Sequence, residues 1–224
     1  MKLAFALLFG VTFLFSSTAL AQDTLDLGTL KNEEIVVVQK LLYPKTDKSE
    51  IAFQLGAIAF DPYMLAPKVQ LSFERHRSET MSFGAQLGAG YGLGKRSYRE
   101  LGGTAYGVRP EAYRYVASLT GGANWSPIYA KLNWQGVKVH HFDIYFPFVV
   151  GATLERLAWG EEYFTVAPGV GVGVGFRVFQ GDNGVIKLEL RDDLIVESRK
   201  QSGTVVPKQN IGIHLGFGRM TGGK

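Results

Sequence analysis

From residue 49 onward, apolar and polar residues alternate one by one, and the pattern recurs about eight times. Val69, Leu71 and Phe73 point one way in an extended chain, while Lys68, Gln70, Ser72 and Glu74 point the other. Met81, Phe83, Ala85, Leu87, Ala89 and Tyr91 then alternate with serine, glycine and glutamine. Tyr115, Ala117, Leu119, Ala123 and Trp125 alternate with Ser118, Thr120, Gly122 and Asn124.

The second half repeats the device. Phe142, Ile144, Phe146, Phe148 and Val150 oppose His141, Asp143 and Tyr145. Val166, Val170, Val172, Val174 and Phe176 oppose Gly169, Gly171, Gly173, Gly175 and Arg177. Ile186, Leu188 and Leu190 oppose Lys187, Glu189 and Arg191. Ile211, Ile213, Leu215 and Phe217 oppose Asn210, Gly212, His214 and Gly216. A weaker first strand runs over 49–60.

Two architectures use such strands. A soluble sandwich turns the apolar faces inward; a membrane barrel turns them out to lipid and keeps polar or small residues in the lumen. Segments of about ten residues suit a tilted strand that crosses a bilayer. Aromatics near the strand ends (Phe60, Tyr63, Tyr91, Tyr113, Tyr115, Trp125, Tyr163, Phe164 and Phe179) suit interfacial girdles. Short connections (76–79, 179–184) alternate with longer ones (93–114, 196–208). The expectation is an all-β, antiparallel, up-and-down transmembrane barrel of about eight strands, over 49–224.

Three residues break the pattern. His140, Asp192 and Arg219 fall on the apolar register. His140 and Arg219 lie near strand ends, where they reach the headgroups. Asp192 lies further in, so either a β-bulge near 191–193 or an early end to the lipid band is expected.

The N-terminus reads differently. Met1-Lys2 is followed by an apolar run, then by small residues ending Ala19-Leu20-Ala21. This is the pattern of a cleavable secretory signal peptide over 1–21. Residues 22–48 fit neither part and are expected to form a periplasmic segment tucked under or into the barrel, with Pro44 and Asp47 at the hinge. Such a chain is bound for the cell outer membrane, in contact with its lipid and lipopolysaccharide.

Composition changes little. Hydrophobic residues make up 46 % and charged residues 20 %, which would equally suit a soluble domain. The chain contains no cysteine, which rules out a lipid-modified N-terminal cysteine, disulfides and thiolate metal ligands. Removing Lys2 with the leader takes the net charge from +4 to +3, and no basic run points to nucleic acid.

Candidate chemistry lies on the inward register. The Gly169–Gly175 repeat has period two, without the spacing of a nucleotide-binding loop, so it leaves lumen space for neighbours. Lys187, Glu189 and Arg191 are expected to lie over that floor and pair with Arg177, Glu74 or Asp143. His141 and Asp143 share a face, a spacing compatible with a hydrogen-bonded pair, and His214 joins the same polar set. No catalytic residue, cofactor or metal is expected. The loop over 93–114 carries Lys95, Arg96, Arg99, Arg109 and Arg114 against Glu100 and Glu111, a net +3 that could meet phosphates at the cell surface.

Several short segments occur in a telling order: Val38-Gln39-Lys40-Leu41-Leu42-Tyr43, Asp61-Pro62-Tyr63, a turn at Ser126-Pro127-Ile128-Tyr129-Ala130-Lys131, Val139-His140-His141-Phe142-Asp143-Ile144-Tyr145, and Leu188-Glu189-Leu190-Arg191-Asp192. Through them the chain resembles the small outer-membrane β-barrel proteins of myxobacteria and their relatives, some of which belong to the gliding-motility machinery. The chain departs from outer-membrane strands in general at its end, where Phe217 is followed by Gly-Arg-Met-Thr-Gly-Gly-Lys. The resemblance implies the fold and the location; together with a narrow filled lumen and an extra periplasmic segment it leads to the expectation of a non-enzymatic scaffold or anchor for periplasmic or surface envelope proteins, with 36–43 and 126–138 as contact surfaces. A small pore and a lipid-A-modifying enzyme are the other readings.

Overall fold

The computed structural model describes residues 43–103, 106–134, 138–181 and 183–222. The expected signal peptide, and the N-terminal segment as far as residue 42, lie outside the described residues. The strands are β1 (Ser49–Ile58), β2 (Met64–His76), β3 (Met81–Gly90), the two-residue β4 (Leu93–Gly94), β5 (Tyr113–Trp134), β6 (Lys138–Leu157), β7 (Phe164–Gln180), β8 (Gly184–Ser198) and β9 (Val205–Thr221). One short helix, α1 (Arg96–Leu101), sits in the long loop after β3.

Each strand pairs antiparallel with its chain neighbour around the wall, and β4 adds only a flap on β2. The ring closes because β1 pairs with both β2 and β9: Phe53 lies opposite Leu71 on one side and Phe217 on the other. Closure leaves no free sheet edge, so the wall's backbone groups are satisfied within it. The eight long strands therefore form a closed up-and-down barrel.

Burial is inverted relative to a soluble protein. Ile51, Phe53, Leu55, Leu71, Phe73, Leu119, Val150, Val170 and Leu215 are exposed on the outer wall. Glu50, Gln54, Gln70, Glu74, Asp143, Arg177, Lys187, Glu189 and Arg191 are buried inside. An outer wall of bare leucine, valine and phenylalanine is unfavourable in water and favourable in lipid.

Connections at the end where the chain enters are short, namely 77–80, 135–137 and 181–183. At the other end they are 59–63, 91–112, 158–163 and 199–204. Short turns face the periplasm and long loops the exterior in barrels of this kind. The chain enters at the short-turn end through a tight turn. Asp47 adopts φ 60°, a conformation that aspartate tolerates, while the Lys48 amide donates to the Lys45 carbonyl at 2.9 Å.

Register departs from strict alternation in β5 and not in β8. Shifts fall between Tyr115 and Ala117 and between Trp125 and Ile128. The first turns Tyr113 and Tyr115 inward, where both are buried, instead of out to a girdle. The second keeps Ile128 outward and lets β5 run on to Trp134, so Ser126–Lys131 is strand and not the expected turn. Through 191–193, β8 pairs with β7 and β9 in unbroken register. The expected bulge is absent there, and Asp192 stays on the outer wall between Val172 and Ile211. Phe179 also leaves the expected girdle: it is buried inside and stacks on Tyr43.

Candidate functional site

An eight-stranded barrel is just wide enough inside for side chains to fill it. Here they do so in layers, and the lowest polar one is ionic. Arg177, projecting from β7, reaches Asp143 at 3.3 Å, Glu50 at 3.2 Å and Glu74 at 3.0 Å. Lys187 from β8 lies 2.9 Å from Glu50 and also contacts Glu74. The third cation comes from outside the wall: Lys45 extends its ammonium to Asp143 at 2.6 Å. Three cations thus balance three carboxylates across the lumen. Burying any one of these charges alone would be costly; paired and hydrogen-bonded, they are tolerated.

Below this layer the mouth is closed by apolar packing of Phe179, Val185 and Met220 with Tyr43 and Tyr129. Tyr43 and Lys45 are held in place from the adjoining turn, where Glu79 accepts the backbone N–H groups of Lys45 and Thr46 at 3.0 Å and the Thr46 hydroxyl at 2.7 Å. Burial pushes the Glu79 carboxyl up, yet these donors and the Lys45 charge hold it below the usual carboxylate range.

Above the ionic layer the lumen is polar and tight. The Tyr145 ring lies against Gly175, so a Cβ there would collide with it, and the Tyr145 hydroxyl donates to Glu189 at 2.9 Å. Arg191 contacts Gln86, Glu189 at 3.3 Å and Asp193 at 3.0 Å. Gln70 donates to Gln54 at 3.1 Å and Gln86 at 2.9 Å. Higher still, Lys208 joins Asp61 at 3.2 Å, Glu155 at 3.0 Å and Glu197 at 3.3 Å. Three gaps between these layers measure about 10 Å³ each, barely room for one water apiece.

The expected lumen set is therefore largely brought together, with three corrections. His141 and Asp143 do not pair with one another: His141 shares a 3.0 Å hydrogen bond with Tyr129, while Asp143 takes Lys45 and Arg177. Glu189 and Arg191 pair with one another and not with the expected Arg177, Glu74 or Asp143: Glu189 also accepts from Tyr145, and Arg191 also reaches Asp193. His214 is buried against Gly56 and Gly212, and neither ring nitrogen has a hydrogen-bond partner among the described residues. Lys45 and Lys208 lie outside the alternating runs and escape sequence reasoning, while Gln86 and Tyr145 fall on the inward register of their strands without an expected partner. Glu50 and Gln54 likewise fall on the inward register of the weak first strand, opposite Ile51, Phe53 and Leu55, but parity does not say which lumen cation they meet. Glu50, Glu74 and His76 approach within 4.8 Å of one another, a spacing a cation could use. Arg177 and Lys187 already hold those carboxylates, so the group does not suit a metal.

The loop end is built differently. Lys95 is spent on structure, donating to the carbonyls of Ala59 at 2.6 Å and Asp61 at 2.7 Å. Arg96 pairs with Glu100 at 2.6 Å on the exposed face of α1. Glu111 accepts the Tyr113 hydroxyl at 2.9 Å and the amides of Gln201 at 2.8 Å and Ser202 at 3.1 Å, tying two loops together. Arg99, Arg109 and Arg114, with Tyr98 and Trp159, instead line an open cavity of about 290 Å³.

A closed antiparallel ring with an apolar outer wall and a charged, filled lumen defines a transmembrane β-barrel. No family model matches the sequence, nor does any curated protein. Among solved structures, the N-terminal β-barrel domain of Pseudomonas aeruginosa OprF aligns over 79 % of this chain and 98 % of its own, at 9 % identity and TM-score 0.49. Ail, the attachment invasion locus protein of Yersinia pestis, aligns over 79 % of this chain and 99 % of its own, at 12 % identity and TM-score 0.42. Neisserial surface protein A aligns over 78 % of this chain and 94 % of its own, at 13 % identity and TM-score 0.39. Likeness at this level carries no functional information; the class rests on the closed register and the inverted burial.

Proposed function

We propose that this protein is a non-enzymatic, non-conducting outer-membrane anchor for an envelope complex. The observation that carries the reading is the lowest polar layer of the lumen: Lys45 from the entering segment crosses to Asp143 and completes the charge balance around Arg177. The segment before β1 is thereby fastened to the barrel, which suits a tether reaching periplasmic partners, and the gaps between the lumen layers of the described residues measure about 10 Å³. The leader and the strand pattern favour the outer membrane as the site. The resemblance to myxobacterial barrels makes a gliding-motility apparatus the envelope complex to test first.

Two measurements separate this from the pore reading. Purified full chain in a planar bilayer is expected to give no steady conductance; a steady, salt-dependent current would overturn the anchor. Tagged protein recovered from native envelopes in mild detergent should bring periplasmic or surface envelope proteins in stoichiometric amounts. A chain lacking 22–42, which keeps Lys45, should insert but lose them; unchanged recovery would sink the tether.

A further inference from the structure

The cavity at the loop end has the features of a ligand site. Three guanidiniums, those of Arg99, Arg109 and Arg114, line it together with Tyr98 and Trp159, and no carboxylate does. The acids nearby in sequence are engaged elsewhere: Glu100 with Arg96, Glu111 with the 199–204 loop, Glu161 with Lys200 and Glu162 with Arg156. Arg99 and Arg109 make no ion pair among the described residues. Arg109 lies over the Trp159 ring at 5.8 Å, and Arg114 over Tyr91 at 5.5 Å. The Tyr98 hydroxyl and the Arg114 Nε are shielded from solvent with no hydrogen-bond partner. Trp159 is fixed by its indole N–H, which donates to the Pro110 carbonyl at 3.1 Å. This is a cationic, aromatic-walled pocket; Arg114 spends one donor on the Tyr91 hydroxyl at 2.6 Å and keeps its Nε unpartnered.

We propose that the pocket binds a phosphorylated saccharide unit. A phosphomonoester carries about −1.5 to −2 charge at pH 7, which matches several guanidiniums better than a single carboxylate would. Its oxygens suit the fork geometry of arginine. The indole of Trp159 gives the apolar C–H face of a sugar ring a surface to bury against once Arg109, which lies over the ring at 5.8 Å, turns to the phosphate. The volume sits at the lower end of ligand pockets, roughly 300 Å³, which fits one sugar unit and not a long oligosaccharide buried whole. Such a unit could belong to the saccharide of the membrane's own lipid or to a soluble sugar phosphate.

Isothermal titration calorimetry on the full chain in detergent decides the matter, with glucose 1-phosphate, inorganic phosphate and glucose as probes. Glucose 1-phosphate should bind saturably and at least tenfold more tightly than inorganic phosphate, and glucose should not bind. The double variant Arg99→Gln, Arg109→Gln should weaken glucose 1-phosphate at least tenfold. Trp159→Ala should weaken it while leaving inorganic phosphate unchanged. Barrel folding of each variant is checked by its heat-dependent gel mobility. No saturable binding, equal affinity for inorganic phosphate (an adventitious ion only), or full affinity in the double variant overturns the proposal. A repeat in nanodiscs assigns the source: competition in discs with lipopolysaccharide and none in phosphatidylcholine discs identifies the lipid saccharide, and equal binding in both identifies a soluble ligand.

Discussion

The two ends of the barrel handle positive charge in opposite ways. At the short-turn end, Lys45, Arg177 and Lys187 are buried, and each is matched to a carboxylate within the lumen. At the loop end, Arg99, Arg109 and Arg114 surround an open cavity that no carboxylate lines. Buried charge without a partner is too costly to persist, so the lower cations must be structural. Charge facing water carries no such constraint, so the upper cations remain available to a ligand. The same residue types thus do different work according to dielectric and depth.

The largest expected effect comes from removing the hub of the buried end. Arg177→Met strips Glu50, Glu74 and Asp143 of their shared cation and should destabilise the barrel by about 3–5 kcal/mol, read as a lower urea midpoint in lipid vesicles. An unchanged midpoint would erase the distinction between the two ends. Next is Gly175→Ala, whose new methyl meets the Tyr145 ring and should cost about 1–3 kcal/mol through overpacking. Adding Tyr145→Ala should show a coupling above about 0.5 kcal/mol, and strict additivity would mean that the two do not touch.

A smaller effect concerns the latch at Glu79. Its carboxyl is held below the ordinary range in the folded protein. Its contribution is therefore fully present above the unfolded value, about 4.3, and disappears as pH falls through the lower folded value. Because Glu79 is largely solvated, the amount should stay under about 1 kcal/mol. Hydrogen exchange of the Lys45 and Thr46 amides should quicken in that acid window. Glu79→Gln should abolish the pH dependence, and its persistence in that variant would point to another group. Smallest of all, Arg96→Ala breaks only an exposed pair on α1. It should shift stability by no more than about 0.5 kcal/mol, measured in the same urea assay. A large loss there would show that the loop end is as tightly coupled as the lumen.

Much of the wall was legible along the chain because β-structure has a period of two. One inward residue fixes the facing of its neighbours, so Val69 to Glu74 and Val166 to Arg177 read directly as two-faced strands. The lumen membership of Glu74, Asp143, Arg177, Lys187, Glu189 and Arg191 follows from parity alone. Parity fails where a residue is inserted. Tyr115 reads as outward, yet the shift before Ala117 turns it in, and no local sequence signal marks that bulge. Asp192 misleads in the opposite sense: a lone acid on an apolar face suggests a kink, but the strand runs straight through and leaves the carboxylate outside.

Sequence therefore determined which residues face the lumen, because backbone geometry alternates side chains whatever the rest of the chain does. Which acid meets which base was decided only by closure. Glu74 and Arg177 stand 103 positions apart and come together because β1 bridges β2 to β9, setting the barrel's girth and stagger. The insertion of Lys45 into that cluster was likewise a tertiary decision. Only the assembled lumen places Asp143 within 2.6 Å of its ammonium and buries the pair.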